Sequence, residues 1–203
     1  MRTAESALHS IYIVPGGGSW TALAIQQVPC DTLIFDLESL TPPLDKARAR
    51  ERVCAALQGG GFGVRRIAVR VNPLTTRWGY DDLVAVATSR MHAVLLSMIN
   101  GADAVRDAEQ VLLGAGAPED IAIWCMIRTP RAVLNAAQIA AASPRVGVLV
   151  MGFTYLSREL GAGKTRDRIA FVTSLGLGLL GGRVAGVAMI NSDQLRLYQD
   201  SGG

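Results

Sequence analysis

Short runs of apolar, β-branched residues recur along this chain, each followed by a stretch with helical character. The candidate strands are Ile11–Val14, Thr32–Asp36, Ile67–Val71, Ala93–Ser97, Ile121–Ile127, Gly147–Met151 and Val184–Ile190. Each is apolar nearly throughout, the pattern of strands covered on both faces rather than on one. Between them the residues favour helices at about Ser19–Gln27, Leu44–Gln58, Tyr80–Ser89, Ala102–Leu113, Arg131–Ala142 and Arg166–Leu180. A repeated strand–helix pattern predicts a parallel sheet with right-handed crossovers. Pattern alone leaves a closed (β/α)₈ barrel and an open doubly wound sheet both standing. The 203 residues suit a single domain, residues 1–203, but are short of the roughly 250 usual for a closed barrel.

Local signals support the helix assignments. Thr41-Pro42-Pro43 and Thr129-Pro130 each place a hydroxyl where a helix N-cap belongs, with proline near the first turn. Gly59-Gly60-Gly61 marks a helix end that needs a left-handed residue. Half of the residues are hydrophobic and 18% are charged, enough apolar material for a sizeable core and too much for disorder. Net charge is +3 with no block of Lys or Arg, so nothing points to nucleic acid. The apolar stretch from Ile169 to Leu180, running on to Arg183, contains four glycines and reads as a buried helix followed by a strand. It is shorter than the roughly 20 residues of a membrane span. The N-terminal residues lack the long apolar segment of a signal peptide. Cys30, Cys54 and Cys125 are odd in number, widely spaced and free of any C-x-x-C pattern, which fits a reducing cytoplasm and no zinc or disulfide framework.

Several motifs look like chemistry but lack the full pattern. Gly161-Ala162-Gly163-Lys164-Thr165 ends like a phosphate-binding loop, yet the motif needs glycine at position 158, which is Arg158. Gly16-Gly17-Gly18 follows the first strand without dinucleotide-binding spacing. It suits a loop whose backbone approaches a ligand closely, which makes Gly16 and Gly17 candidate binding residues. His9 and His92 have no partner in sequence and read as structural, and no G-x-S-x-G is present.

Ile123 to Gly161 carries a closer likeness. Thr129, Val133-Leu134-Asn135-Ala136, Ile139-Ala140 and Gly152 match the pattern I-E-T-[AP]-x-[GA]-V-L-N-A-x-x-I-A, followed by G-[AT]-[NE]-D-[LY], of the citrate lyase β-subunit-like (HpcH/HpaI aldolase) family. The resemblance extends over about residues 9 to 190. His9–Gly16 resembles R-S-x-L-F-V-P-G, and Leu33–Lys46 resembles a segment with D-L-E-D-x-V-x-P-x-x-K, keeping Asp36, Leu37, Glu38 and Lys46. Val69–Asn72 resembles the strand whose arginine holds a substrate carboxylate or carbonyl, here Arg70, and Trp78-Gly79 with Asp82-Leu83 also matches.

The departures cluster on charged positions. The family's magnesium-ligating Glu and Asp are Arg128 and Tyr155; its fourth-strand Lys and Glu are Met98 and Asn100; an acid after Glu38 is Ser39. The family's last strand, with G-K-x-x-I-H-P, has no counterpart before Gly203. The resemblance thus implies a TIM (β/α)₈-type barrel and a trimeric or hexameric homo-oligomer; trimming at its C-terminal end would leave an open edge between the first and last strands, which also favours self-association. It implies a small-molecule carbonyl or carboxylate substrate, no nucleic acid and no membrane. A guanidinium in a ligand position leads us to expect no magnesium and no other cofactor. Glu38, Asp36, Arg70 and Tyr155 are the candidate catalytic residues. Arg70, Arg128, Met98, Phe153, Gly16 and Gly17 are the candidate binding residues. Arg128 either pairs with Asp36 or Glu38 or forms an anion clamp with Arg70. Met98, Met126 and Phe153 make the mouth apolar. The expected activity is metal-independent carbonyl chemistry, aldol-type carbon–carbon cleavage or condensation, cyclisation or rearrangement. A non-catalytic ligand or partner binder is the alternative, and an ordinary magnesium-dependent acyl-CoA lyase fits less well.

Overall fold

A computed structural model describes residues 8, 10–161, 169–192 and 195–198. His9 and Ala162–Thr165, the latter part of the phosphate-loop lookalike, lie outside them. Eight parallel strands form a nearly closed barrel: β1 (Ile11–Pro15), β2 (Thr32–Asp36), β3 (Arg66–Arg70), β4 (Ala93–Leu96), β5 (Ala122–Ile127), β6 (Val146–Met151), β7 (Ala188–Asn191) and β8 (Leu195–Leu197). The ladders run in the order β7-β6-β5-β4-β3-β2-β1-β8, all parallel. This is the TIM-type barrel, and the open doubly wound alternative is excluded.

Alternation along each strand divides its side chains between two cores. Ile13, Ile34, Ala68, Ala93, Leu95, Trp124, Met126, Val148 and Val150 point into the barrel. Their neighbours Val14, Leu33, Phe35, Ile67, Val69, Val94, Leu96, Ile123 and Cys125 point outward against the helices. Burial on both faces explains why the strands read as continuous apolar runs. The outer layer comprises α1 (Ala22–Gln26), α2 (Lys46–Gly59), α3 (Gly79–Val86), α4 (Ala102–Gly114), α5 (Pro130–Leu134), α6 (Ala136–Ala140), α7 (Phe153–Glu159) and α8 (Ile169–Val184). In α2 the buried residues Ala49, Val53 and Leu57 recur every fourth position, and in α4 Val105, Ala108 and Leu112 form the inward stripe.

The caps divide. Thr129 Oγ1 accepts from Ala132 N at 3.1 Å as expected, and Gly60 ends α2 at φ +66°. Thr41 does not cap: its hydroxyl donates to the Asp36 carbonyl at 2.7 Å, and the short 3-10 turn Pro43–Asp45 has no side-chain cap. His92 is structural, its Nδ1 accepting from Ile67 N at 3.0 Å.

The C-terminal end departs from expectation. Val184 belongs to α8, and β7 begins only at Ala188. The edge of β1 is covered by the chain itself, because β8 pairs Leu195 with Ile11 and Leu197 with Ile13, and Tyr198 N donates to Ile13 O at 2.8 Å. Three residues separate β7 from β8, too few for the helical crossover that links every earlier pair of neighbours. The expectation of a homo-oligomer therefore loses the argument from an open β1 edge and rests on the resemblance. Among the described residues no helix is long and apolar enough to cross a membrane.

Candidate functional site

The C-terminal ends of barrel strands converge at one mouth, where loops can carry chemistry without disturbing the wall. Asp36 and Arg70 end β2 and β3 as register partners, and alternation points both inward, above Ile34 and Ala68. Arg70 Nε donates to Asp36 Oδ1 at 2.7 Å, and its Nη2 donates to Oδ2 and to Ser39 Oγ. Asp36 also accepts Glu38 N and Leu40 N, each at 2.7 Å. Its carboxylate thus receives four N–H groups and shapes the turn after β2. The Asp36 side chain is 0% exposed and that of Arg70 is 6%. A buried charge is tolerable only when paired in this way. Burial disfavours the Arg70 cation, but hydrogen bonding to Asp36 and the nearby Asp36 and Glu38 charges outweigh it and raise its pKa.

A second pair lies on top of the first. Arg128 Nη1 donates to Glu38 Oε2 at 3.2 Å and Nη2 donates to Oε1, a bidentate contact. Arg70 Nε stands 3.8 Å from Glu38 Oε2, so Glu38 sits between two guanidinium groups. Side-chain exposure is 13% for Glu38 and 9% for Arg128, so this upper pair reaches solvent whereas the Asp36 carboxylate does not. The Arg128 guanidinium lies 5.0 Å over the Tyr155 ring, and its Nε approaches Met98 Sδ at 3.2 Å. Met98 adopts φ +54°, a left-handed conformation rare for a side chain of this size. A Cβ on Gly152 would stand 2.9 Å from Arg128 Cβ, so glycine at the end of β6 leaves Arg128 its place.

The structure therefore brings together Asp36, Glu38, Arg70, Arg128, Met98 and Tyr155. Of the two pairings open to Arg128, it makes the one with Glu38. Gly16 is seated on β2, its N–H donating to Asp36 O at 2.8 Å; a Cβ there would meet the same oxygen. Gly17 is exposed beside Thr41 and Asp45. Phe153 packs edge-on against Phe171, with ring centroids 5.6 Å apart. Met126 is buried in the barrel interior beneath the mouth, with its sulfur 3.9 Å from Arg70 Nη1. Of the three residues expected to make the mouth greasy, Met98 is the one in contact with Arg128.

Two supporting groups are not among the candidate site residues, although the sequence marks Lys46 and Thr129 for other reasons. Lys46 Nζ donates to the Leu37 and Glu38 carbonyls at 2.9 and 2.8 Å and lies 5.1 Å over the Trp78 ring, bracing the Glu38 backbone. Burial pushes its pKa down, opposed by Asp36, Asp82 and Glu38. Thr129 Oγ1, besides capping α5, contacts Asn100 Oδ1, and Asn135 Nδ2 donates to Asn100 O at 2.8 Å. The shared spacing of Asp36, Glu38 and Lys46 is the available signal for the first; a cap threonine whose hydroxyl proton is still free to donate is the signal for the other. Among the described residues no three His, Cys, Asp or Glu side chains come together as a metal-ligand group. The cysteines are free, and complete burial pushes the Cys125 thiol up to about 12.

Comparison with known proteins places this geometry in context. The HpcH/HpaI aldolase/citrate lyase family model matches residues 14–196. The chain is 35% identical over 182 residues to a (3S)-malyl-CoA thioesterase of Cereibacter sphaeroides, covering 90% of this chain and 61% of that protein. It is 31% identical over 156 residues to citrate lyase subunit beta of Escherichia coli, covering 74% of this chain and 52% of that protein. The chain thus spans less than two thirds of the length of these relatives. The citrate lyase beta subunit of M. tuberculosis, solved with oxaloacetate and magnesium, superposes with a TM-score of 0.74 at 23% identity over 96% of this chain and 81% of that one. That likeness speaks for the fold.

Proposed function

The chain belongs to the HpcH/HpaI aldolase/citrate lyase family, and on that premise we propose that it is an enzyme acting on a small carbonyl or carboxylate substrate, with a guanidinium doing the electrostatic work that a metal does elsewhere. The observation that carries this reading is the Glu38–Arg128 pair, bidentate, partly open to solvent and held at the barrel mouth above a deeper Asp36–Arg70 pair. Relatives named as lyases and thioesterases make an enzyme the natural expectation, and the substrate class is our extension.

The two layers divide the labour. Asp36 spends its oxygens on Arg70, Glu38 N and Leu40 N, so we assign it a positioning role. Arg70 and Arg128 form the anion site, since a guanidinium has five donors and each keeps N–H groups beyond those used on the carboxylates. Glu38 accepts a proton from the carbon next to the bound carbonyl. The electron pair moves onto the carbonyl oxygen, and Arg128 meets that charge where it develops. Aldol-type condensation starts from such an enolate, the reverse cleavage forms one, and a cyclisation or rearrangement can proceed through one. Tyr155 orients the Arg128 plane through its ring.

The donor set does not fit magnesium, which favours oxygen ligands in octahedral geometry. Both Glu38 oxygens are on Arg128 and both Asp36 oxygens are taken. A cation at Glu38 would meet a fixed guanidinium, at roughly 4 kcal/mol per pair of unit charges 4 Å apart with an effective dielectric of about 20.

A second reading rests on the same saturation: carboxylates already paired within the chain suit a barrel that binds an anion without turning it over. Deuterium exchange separates the two. Pyruvate carries a carboxylate, a carbonyl and exchangeable α-protons. In D₂O the wild type should speed its α-proton exchange, and Glu38→Gln and Arg128→Ala should each remove most of that rate. No exchange by the wild type, or full exchange by both variants, would sink the enzymatic reading.

A further inference from the structure

A cavity of about 280 Å³ lies beside the charged mouth, between the segment after β3 and the segment after β4. Leu74, Leu83, Leu96, Ile99 and Ala108 give it apolar walls. Met98 is its shared boundary with the mouth: it lines the cavity, and its sulfur touches Arg128 Nε at 3.2 Å. The same residue holds the strained φ of +54°. Strain of that kind persists where surrounding structure over-determines it, and it clusters at ligand sites. Asp107, exposed on α4, adds a carboxylate to the cavity lining.

We propose that this cavity is a specificity pocket for an unbranched apolar arm of the substrate, whose carbonyl or carboxylate head sits on Arg128. The inference rests on the reading of the Glu38–Arg128 pair given above and deepens it by naming the substrate class: a medium-chain 2-oxo acid or related aliphatic acid. Volume and apolar lining match an aliphatic arm, since ligand pockets are mostly apolar with a few polar anchors. The anchors for the head lie in the adjoining mouth, while Asn72, Thr75 and Ser97 add polar groups to the lining. Asp107 disfavours a second carboxylate on the arm through like-charge repulsion, so long dicarboxylates are poor ligands.

The test is calorimetric titration of the whole chain with straight-chain 2-oxo acids from pyruvate to 2-oxooctanoate. Affinity should rise about fourfold per methylene over roughly the first four, the fold-change equivalent of about 0.8 kcal/mol per buried CH₂. 2-Oxoadipate should bind more weakly than 2-oxohexanoate. Ala104→Phe, which fills the pocket from α4, and Thr75→Trp, which fills it from the β3 side, should each flatten the series while leaving pyruvate affinity unchanged. Two variants on different elements guard against one that fails to fold. Pyruvate binding with no gain along the series, or a gain that survives both variants, overturns the pocket and leaves the mouth assignment standing. No binding by any acid overturns both.

Discussion

At the residue scale the site depends on which carboxylate meets which guanidinium. Asp36 and Arg70 form the buried pair, and removing one partner leaves a charge with no water to solvate it. Arg70→Ala should cost about 3–5 kcal/mol in urea-induced unfolding. Arg128→Ala should cost less than half of that, because Glu38 keeps Arg70 at 3.8 Å and reaches solvent. Equal costs for the two would contradict the layered arrangement. The four residues themselves are legible in sequence, but their pairing is not read there, because it depends on depth in the barrel. Alternation held the missing information: Asp36 shares the inward face with Ile34, and Glu38 lies two positions on, past the strand end.

At the element scale, six of the eight strands announce themselves because burial on both faces makes each a nearly continuous apolar run, while β7 shares only Ala188–Ile190 with its expected run Val184–Ile190. The eighth, Leu195–Leu197, has three residues with a charged centre, too few to form a pattern. Helix α7 is equally hidden: of its seven residues Leu156 is the one fully buried. The helix read as Arg131–Ala142 divides at Asn135, whose side chain bonds Asn100 O in the neighbouring segment after β4. Tertiary contacts, absent from any local window, make each of these differences. The start of α3 shows the same rule in steric form. A Cβ on Gly79 would stand 2.2 Å from the Pro73 carbonyl oxygen and 2.8 Å from that of Asn72. Gly79→Ala gains up to about 1 kcal/mol of helix propensity, yet overpacking against backbone should leave it roughly 1–3 kcal/mol less stable. Equal or higher stability in thermal unfolding would show that the α3 entry is looser than described.

At the scale of the whole molecule, the outer core couples stability to alkaline pH through Cys125. Its thiol, ordinarily near 9, is pushed up to about 12 by burial. Between those values the unfolded chain has lost the proton and the folded one keeps it, so stability falls as pH rises from 9 toward 12 and is unaffected below 9. The slope contributed is about 1.4 kcal/mol per pH unit. Denaturation curves from pH 8 to 10.5 should therefore fall less steeply above pH 9 for Cys125→Ala than for the wild type; identical slopes would contradict complete burial. The barrel is that of the HpcH/HpaI aldolase/citrate lyase family, and the function proposed for this chain rests on the charge pattern at its mouth. The central claim is that Arg128 replaces a metal there. The most direct measurement is the rate of pyruvate α-proton exchange with the protein held in EDTA and again at saturating Mg²⁺. The account predicts equal rates in both conditions, lost in Arg128→Ala. Exchange that appears only with Mg²⁺ would contradict it.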